Sequence, residues 1–572
     1  MKASDYIANI LEKKGIKYVF ELSGGMITHI LDSINQLTKI QIISMHHEQS
    51  AAFAAEGFAR ITGTPGIALA TSGPGATNLL TGIGSCYFDS VPCIFITGQV
   101  NRHELKLDRK IRQLGFQETD IVSMAAPITK ACFQINDPNE LPNIFELAFE
   151  ISMNGRPGPV LIDIPMDIQR SIIKTDPKFS KSVVTNCFEK GVISGLIEDI
   201  KKAKKPLILA GRGIRAGNAL SHFLEFAKLT QIPIVTTLLG LDVISYNDSQ
   251  RVGFIGSYGN RWANIVLGNC DLLIVLGARL DIRQTGADTS YFEKRIIYHV
   301  DCEIDEINNR INGCIPIVSD LKYFFEEFNK IIKNNHFETK SEWVSFIEHE
   351  KLKWPDTKEV DAIGINPNIF MHLLSKNSKN AAAYLADVGS HQMWAAQSLE
   401  IGEKQQFLTS GGMGAMGFSL PASIGACLAV KKSPVIVIIG DGCMQLNIQE
   451  LQTILRNKLP IKIIVFNNES LGMIRQFQDS YFQSRYQSTF WGYSAPDFEK
   501  ISHAYGISAK TINNQDEVLR AINWLWESKN EQEPQLLQVM INPQTNTYPK
   551  LAFGRPITEM EPFVKPLDME GT

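Results

Sequence analysis

Two apolar runs with a helical segment between them, Val435 to Asn468, constrain this chain more than any other stretch. The first run, Val435-Ile-Val-Ile-Ile439, leads into Gly440-Asp441-Gly442. The second, Ile461 to Phe466, follows Pro460 and ends in Asn467-Asn468. The spacing between them predicts a helix over roughly Asn447 to Arg456. Strand, helix and strand of this size form a parallel crossover unit. In open parallel sheets, ligands sit off the carboxyl ends of the strands, where Asp441 and Asn468 both fall. A carboxylate and an amide oxygen are hard ligands, suited to Mg²⁺ holding a diphosphate. Gly440 and Gly442 would let the backbone come close to phosphate oxygens. A lone Gly-Asp-Gly favours a blander reading, in which an Asp and an Asn finish two strands with no ligand.

The same alternation of short apolar strands and helices recurs along the chain. Strands are expected at Tyr18–Phe20, Gly66–Ala70, Val91–Thr97 and Val160–Ile164, then at Pro206–Ala210, Ile232–Thr236, Asp271–Leu276 and Ile296–Val300. A third set covers Ala381–Ala386, Val435–Ile439, Ile461–Phe466 and Leu536–Ile541. Residues 169–190 and 335–365 are polar or charged and read as linkers. The expected organisation is therefore α/β, three doubly wound parallel-sheet domains over residues 1–168, 190–335 and 365–550, with a tail over 551–572. No sequence repeat is evident between the first and third.

Bulk properties exclude several classes. A net charge of −4 argues against general affinity for nucleic acid or anionic membranes. No apolar run reaches the ~18 residues of a membrane helix. The N-terminus, MKASDYIANILEKKG, reads as a charged amphipathic helix rather than a secretory signal. Nine cysteines without a CxxC pair indicate neither a zinc site nor a disulfide framework, and reduced thiols fit a cytoplasmic enzyme.

In the first block, HHEQSAAFAAEGFAR (His46–Arg60) opens an Ala-rich helix with Glu48 in its first turn. Alone, Glu48 reads as a residue favoured there by the helix dipole. The SGPGATN loop follows a strand, and alone reads as a tight turn. Taken with GFQETDIV (Gly115–Val122), RPGPVLIDIPMD (Arg156–Asp167), ADVGSHQMWAAQ (Ala386–Gln397), SGGMGAMGFSLPASIGA (Ser410–Ala426) and LGMIRQFQ (Leu471–Gln478), these motifs change the reading. With the metal motif, in which 24 residues separate Gly442 from Asn467, the chain resembles acetohydroxyacid synthase, or acetolactate synthase, over nearly its whole length. That family is thiamine diphosphate-dependent.

The resemblance implies a pyrimidine-binding, a central and a diphosphate-binding domain. It implies Mg²⁺ on the Asp441 and Asn468 side chains and the Ser470 carbonyl. Gly389, Ser390, His391, Gln392, Gly440, Gly442 and Cys443 would lie around the diphosphate, and Gly472 and Met473 would close over the cofactor. Glu48 would share a proton with the aminopyrimidine ring, as a carboxyl in an apolar pocket can. Met416 would wedge the cofactor into its bent form, and the Gly414 carbonyl would accept from its amine. Methionine is also a ready core filler. Phe116 and Gln117 would line the donor pocket. Arg283 would pair with an acceptor carboxylate, with Phe477 and Lys130 nearby; Lys130 is equally readable as a solvated lysine. In the middle domain Gly211, Arg212, Gly213, Thr237, Leu238, Gly277, Arg279, Asp301 and Asp320 match the family's structural FAD site. Each of these loops alone fits a nucleotide-free Rossmann-like domain. The family forms its sites between two chains, so a homodimer or homotetramer is implied, and a small regulatory subunit is a further implied partner. The implied reaction is decarboxylation of pyruvate and transfer of its two-carbon unit to a second 2-keto acid.

The chain departs from the family on the acceptor side. Phe477 stands where the family has tryptophan and Ile282 where it has aspartate; away from the acceptor, Ser390 replaces a glutamine at the phosphates, and GSYG replaces GMHG in the flavin region. The loop Asn101–Gly115, 15 residues with several basic side chains, is longer than usual. Rival readings are a carboligase with another acceptor, such as a nucleotide-linked keto sugar, a simple 2-keto acid decarboxylase, and a non-catalytic relative. Decarboxylases usually carry adjacent histidines where this chain has only His103. Intact Glu48, Asp441 and Asn468 argue against an inert relative.

Overall fold

A computed structural model describes residues 1–174, 190–333, 335, 337–527 and 531–567. It contains three parallel sheets of six strands each, flanked by helices, as the alternation predicts. The first has β1 (Tyr18–Leu22), β2 (Gln41–Ser44), β3 (Gly66–Ala70), β4 (Cys93–Gln99), β5 (Ala131–Gln134) and β6 (Pro159–Pro165), in the order β2-β1-β3-β4-β6-β5. The second has β7 (Pro206–Ala210), β8 (Ile234–Thr236), β9 (Arg251–Phe254), β10 (Leu272–Leu276), β11 (Ile296–Asp301) and β12 (Ile315–Val318), in the order β12-β11-β10-β7-β8-β9. The third has β13 (Ala383–Ala386), β14 (Gln406–Thr409), β15 (Val435–Gly440), β16 (Ile461–Asn467), β17 (Ser508–Ile512) and β18 (Gln535–Met540), in the order β14-β13-β15-β16-β18-β17.

Counted from their own first strands, the first and third sheets have the same order, so the repeat absent from the sequence is present in the topology. The central sheet instead has the order of dinucleotide-binding folds, with its switch point between β7 and β10.

The first and third domains meet backbone to backbone. Helix Glu48–Thr62 crosses helix Ser419–Ala429 at two glycines. A Cβ on Gly57 would lie 2.1 Å from the Ala422 carbonyl oxygen, and one on Gly425 would lie 1.8 Å from that of Ala54. Beside this crossing a buried charge cluster joins all three domains. Arg60 Nη2 donates to Glu56 Oε1 and to Asp89 Oδ2, each at 2.5 Å. Asp89 also accepts from Gly411 N at 2.9 Å and Gly412 N at 2.7 Å, while its carbonyl accepts from Arg212 Nε at 3.1 Å.

The segment 335–365 carries more structure than its composition suggests. It holds a helix, Ser341–Lys353, whose buried Trp343 donates from Nε1 to the Pro206 carbonyl at 3.0 Å. It also delivers Asp356, which with Glu400 brackets His372: Nε2 lies 2.9 Å from Asp356 Oδ2, and Nδ1 2.8 Å from Glu400 Oε1. Of the other linker, residues 169–174 are in place, with Gln169 buried and Ile172 bridged to Lys2; 175–189 lie outside the described residues. The tail residues Met560–Glu561 pair antiparallel with Lys550–Leu551, and their carbonyls accept from Arg261. No helix among the described residues is long and apolar enough to cross a membrane.

Candidate active site

The ends of β15 and β16 bring Asp441 and Asn468 together, as the crossover unit predicts. The helix after β15 begins at Asp441 itself and stops at Leu446, rather than running from Asn447. Asn447 breaks it because its side chain is committed elsewhere: Oδ1 accepts from Ser50 of the first domain, and Nδ2 donates to the Gly417 carbonyl. A second helix, Glu450–Arg456, completes the crossover.

Asp441 is buried, with Oδ1 accepting from Gly442 N at 2.9 Å and Oδ2 left without a hydrogen-bond partner. Burial pushes its carboxyl up to about 7, against the pull of the Gly442, Ser470 and Glu469 amides. A buried carboxylate with a bare oxygen is costly unless a cation or donor meets it. Asn468 lies alongside, accepting from Ser470 N at 3.3 Å. A Cβ on Gly472 would meet Asn468 Nδ2 at 2.8 Å and Ser390 Oγ at 3.0 Å, so the missing side chain leaves a small polar cradle. Ser390 Oγ and Gln392 Oε1 are also buried without partners. The oxygens fit a hard cation and Ser390 Oγ can donate to an anionic group, whereas Gln392, expected at the diphosphate, spends Nε2 on Thr409 Oγ1 and the Ser410 carbonyl and offers only an acceptor oxygen.

Two glycines owe their identity to a different neighbour than the sequence suggests. Cβ atoms on Gly389 and Gly440 would fall 2.7 and 2.8 Å from His391 Cε1, so the imidazole occupies the space of both. Burial pulls His391 down to about 3, and its neutral Nε2 accepts from Gly440 N at 3.2 Å. Gly442 faces Leu471, the Tyr493 hydroxyl and Met416 Cε, the last 3.4 Å from its Cβ position. Asp387, quoted in a motif but not singled out, anchors the loop of Gly414 and Met416. It accepts from Gly417 N and from Ser419 N and Oγ. Cys443 Sγ donates to the Val388 carbonyl at 3.0 Å. Met473 follows Gly472 at the start of helix Gly472–Tyr481.

The first domain supplies a separate cluster. His47, not Glu48, caps helix Glu48–Thr62, its ring accepting from Gln49 N. Glu48 is thereby released from capping: its Oε2 accepts from Asn78 Nδ2 at 2.9 Å, and Oε1 lies 3.2 Å from the Cβ position of Gly75. Gly73 packs on Gln117, whose φ is +67°, and Phe116 beside it is 79% exposed. Among the described residues no hydrogen bond joins the Glu48 carboxylate to Met416, Asp441 or Asn468.

Of the residues read as contacting an acceptor, Arg283 and Phe477 share a neighbourhood. Burial pushes Tyr258 up to about 12, with Arg283 pulling against it and Tyr481 adding to it. Phe477 lies 4.9 Å from Tyr481 between ring centroids. Lys130 is elsewhere, donating to the Asn154 and Arg156 carbonyls at 2.6 and 2.8 Å. The long loop Asn101–Gly115 is ordered around Glu118, whose two oxygens accept from Lys106 N and Leu114 N.

The central domain holds a cavity of about 350 Å³ at its switch point. Arg212, Gly213, Thr237, Leu238, Gly277, Arg279, Asp301 and Asp320 all line it, and Gly411, Gly412 and Phe88 reach it from the other domains. Gly211 sits beneath, its Cβ position 2.2 Å from the Gly277 carbonyl oxygen. Asp320 also caps helix Leu321–Ile332, so part of its role is structural. Burial first, then the charge of Arg60, pulls Arg212 down to about 10. Volume and lining suit a nucleotide-sized ligand.

Three family models match in chain order: thiamine pyrophosphate enzyme N-terminal TPP-binding domain at residues 1–124, central domain at 193–328, and C-terminal TPP-binding domain at 387–539. The chain is 34% identical to an acetolactate synthase large subunit of Lactococcus lactis over 563 residues, 97% of this chain and 95% of the relative. It is 34% identical to the isozyme 2 large subunit of Escherichia coli over 560 residues, covering 98% and 99%. It is also 34% identical to the chloroplastic acetolactate synthase 2 of Nicotiana tabacum over 569 residues, covering 97% and 84%.

Proposed function

The chain belongs to the acetolactate synthase family of thiamine pyrophosphate enzymes, and from that premise we propose that it decarboxylates pyruvate and joins the two-carbon unit to the carbonyl of a second 2-keto acid. The observation that carries the reading is the buried Asp441 carboxylate, bare on one oxygen, at a strand end beside Asn468. When bound, thiamine diphosphate supplies the electron sink for decarboxylation and for the carbon–carbon bond that follows.

The chain's own residues bind, orient and handle protons. Asp441, Asn468 and the Ser470 carbonyl would hold Mg²⁺, and His391, Ser390 and the glycine cradle would seat the diphosphate. Glu48, fixed by Asn78, holds a proton at the pyrimidine N1′. Met416 would pack under the cofactor, and the Gly414 carbonyl would accept from its amine. Phe116 and Gln117 border the donor. Arg283 offers a guanidinium to the acceptor carboxylate, a charge-assisted contact suited to a keto acid.

The active unit is a homodimer in which Glu48 of one protomer meets the Asp441 side of its partner. Highly exposed Phe116 at the mouth of the Glu48 cluster supports this, since a large apolar side chain beside a site asks for cover. The central cavity takes FAD as a structural group, because the reaction moves no net electrons. A smaller regulatory subunit is a proposed partner, since relatives are named large subunits.

The test is product analysis of protein reconstituted with thiamine diphosphate and Mg²⁺. Pyruvate alone should give acetolactate. Acetaldehyde as the sole product, or product only with a non-keto-acid carbonyl, refutes the reading.

A further inference from the structure

We propose that Tyr493 is a cofactor-positioning residue whose hydroxyl donates a hydrogen bond to an anionic oxygen of the diphosphate at the Asp441–Asn468 strand ends. The proposal rests on the cofactor reading above and adds a residue that lies outside every motif of the sequence.

Tyr493 reaches the site from a loop beyond helix Gly472–Tyr481 that is stitched back to the strand end. The Thr489 carbonyl accepts from Leu471 N and from Ser470 Oγ, each at 2.9 Å. Thr489 Oγ1 donates to Gln478 Oε1 at 2.5 Å, and Gln478 Nε2 donates to the Gln487 carbonyl at 3.0 Å. Tyr493 N then donates to the Phe490 carbonyl at 3.3 Å, which sets the start of the side chain.

From there the phenol points at the residue after Asp441. Its oxygen lies 3.1 Å from the Cβ position of Gly442, a point that Met416 Cε also approaches at 3.4 Å. That oxygen is buried beside the Asp441 carboxylate and Gln445, yet neither it nor Asp441 Oδ2 has a partner within hydrogen-bond distance. A buried hydroxyl without a partner is destabilising, and such groups mark places where a ligand or water completes the bonding. Here the donor is rigidly held between the residue at the metal end of the site and the methionine under the cofactor. The Asp441 carboxylate and Gln445 lie beside it without closing a full hydrogen bond, and an anionic oxygen seated over Gly442 would close one.

The experiment compares apoprotein of the wild type and Tyr493→Phe. Thiamine diphosphate is titrated at fixed Mg²⁺ by quenching of tryptophan fluorescence, and thermal midpoints are taken with and without both. The phenyl ring keeps the packing and removes only the hydroxyl. The dissociation constant should rise at least about tenfold, the usual weight of a hydrogen bond to a charged group. The apoprotein midpoint should stay within about a degree of the wild type's, because the hydroxyl's contacts to Asp441 and Gln445 are too long to be full hydrogen bonds. Inorganic pyrophosphate with Mg²⁺, used as competitor, should weaken in parallel. Equal affinities in the two proteins overturn the proposal. So does an apoprotein midpoint lowered by several degrees, which makes the hydroxyl structural. If the wild type itself gains nothing from thiamine diphosphate and Mg²⁺, the cofactor reading fails first and takes Tyr493 with it.

Discussion

Replacing Asp89 with asparagine should loosen the junction of all three domains. The aspartate is 2% exposed, and its two oxygens receive Arg60, Gly411 N and Gly412 N. Asparagine fits the space but turns one oxygen into a donor, so at least one of these partners faces a like group. Arg60 is left with Glu56 alone. Burial pulls Arg60 down, but Glu56 and Asp89 together hold it above its ordinary value, so the charge stays. Removing one partner of a buried ion pair costs about 3–5 kcal/mol. The strained amide contacts add to that only in part, since the groups share one network. For a domain-sized unit this lowers the first calorimetric transition by about 6–20 °C. A fall under about 2 °C would show that the cluster is not buried as described. Arg60→Met combined with Asp89→Asn should cost less than the two single changes summed. Glu56, pushed up by burial, can then take a proton and go neutral. Strict additivity refutes the coupling.

The remaining predictions concern the site and pH. Glu48→Gln should slow proton exchange at the thiazolium carbon by roughly 10²–10⁴-fold with the thermal midpoint unchanged; a normal exchange rate sinks the assignment. The wild type should show little preference for 2-ketobutyrate over pyruvate as acceptor, and Phe477→Trp should create one, worth about 1–3 kcal/mol for a methylene against a new apolar wall. Competition with both keto acids measures it, and a strong wild-type preference that the substitution leaves alone is the refuting result. Burial pulls His372 down, but its bonds to Asp356 and Glu400 prevail and hold it above its ordinary value. Its contribution is therefore complete below about pH 6.5 and lost as pH rises through the folded value. The midpoint gap between wild type and His372→Gln should shrink over that upper range, and a flat gap contradicts the sign.

The strands that the sequence announces and those it hides divide cleanly. The twelve expected runs are the interior strands of the three sheets, and the six unannounced ones, β2, β5, β9, β12, β14 and β17, are the edges. Interior strands of parallel sheets are covered on both faces and read as unbroken apolar runs. Edges are short and partly exposed, as in β2 (Gln-Ile-Ile-Ser) and β12, or interrupted by Arg and Gly, as in β9. The site divides in the same manner. Asp441, Asn468 and Glu48 are legible because each sits in a contiguous motif at a strand end or helix start. Asp89 and Tyr493 are not, since neither carries a local signal: one gains its partners from residues 411 and 412, the other from a loop folding back. His391 shows a third limit. Its ring, not a phosphate, explains Gly389 and Gly440, and only the folded geometry separates the two causes.

The crossing at Gly57 and Gly425 bears on motion. Where side chains separate two helices, small rotamer changes let one slide over the other. Here the facing surfaces are peptide groups, with no flexible atoms between them to absorb a shift. Shear between the first and third domains is thereby blocked, and a turnover that opens and closes the site must draw its movement from the periphery. The segment free to provide it is the exposed tip of the Glu118-centred loop at the mouth, around Leu107. Relaxation measurements should find millisecond exchange in that loop, with the amides of Ala54 and Ala422 silent.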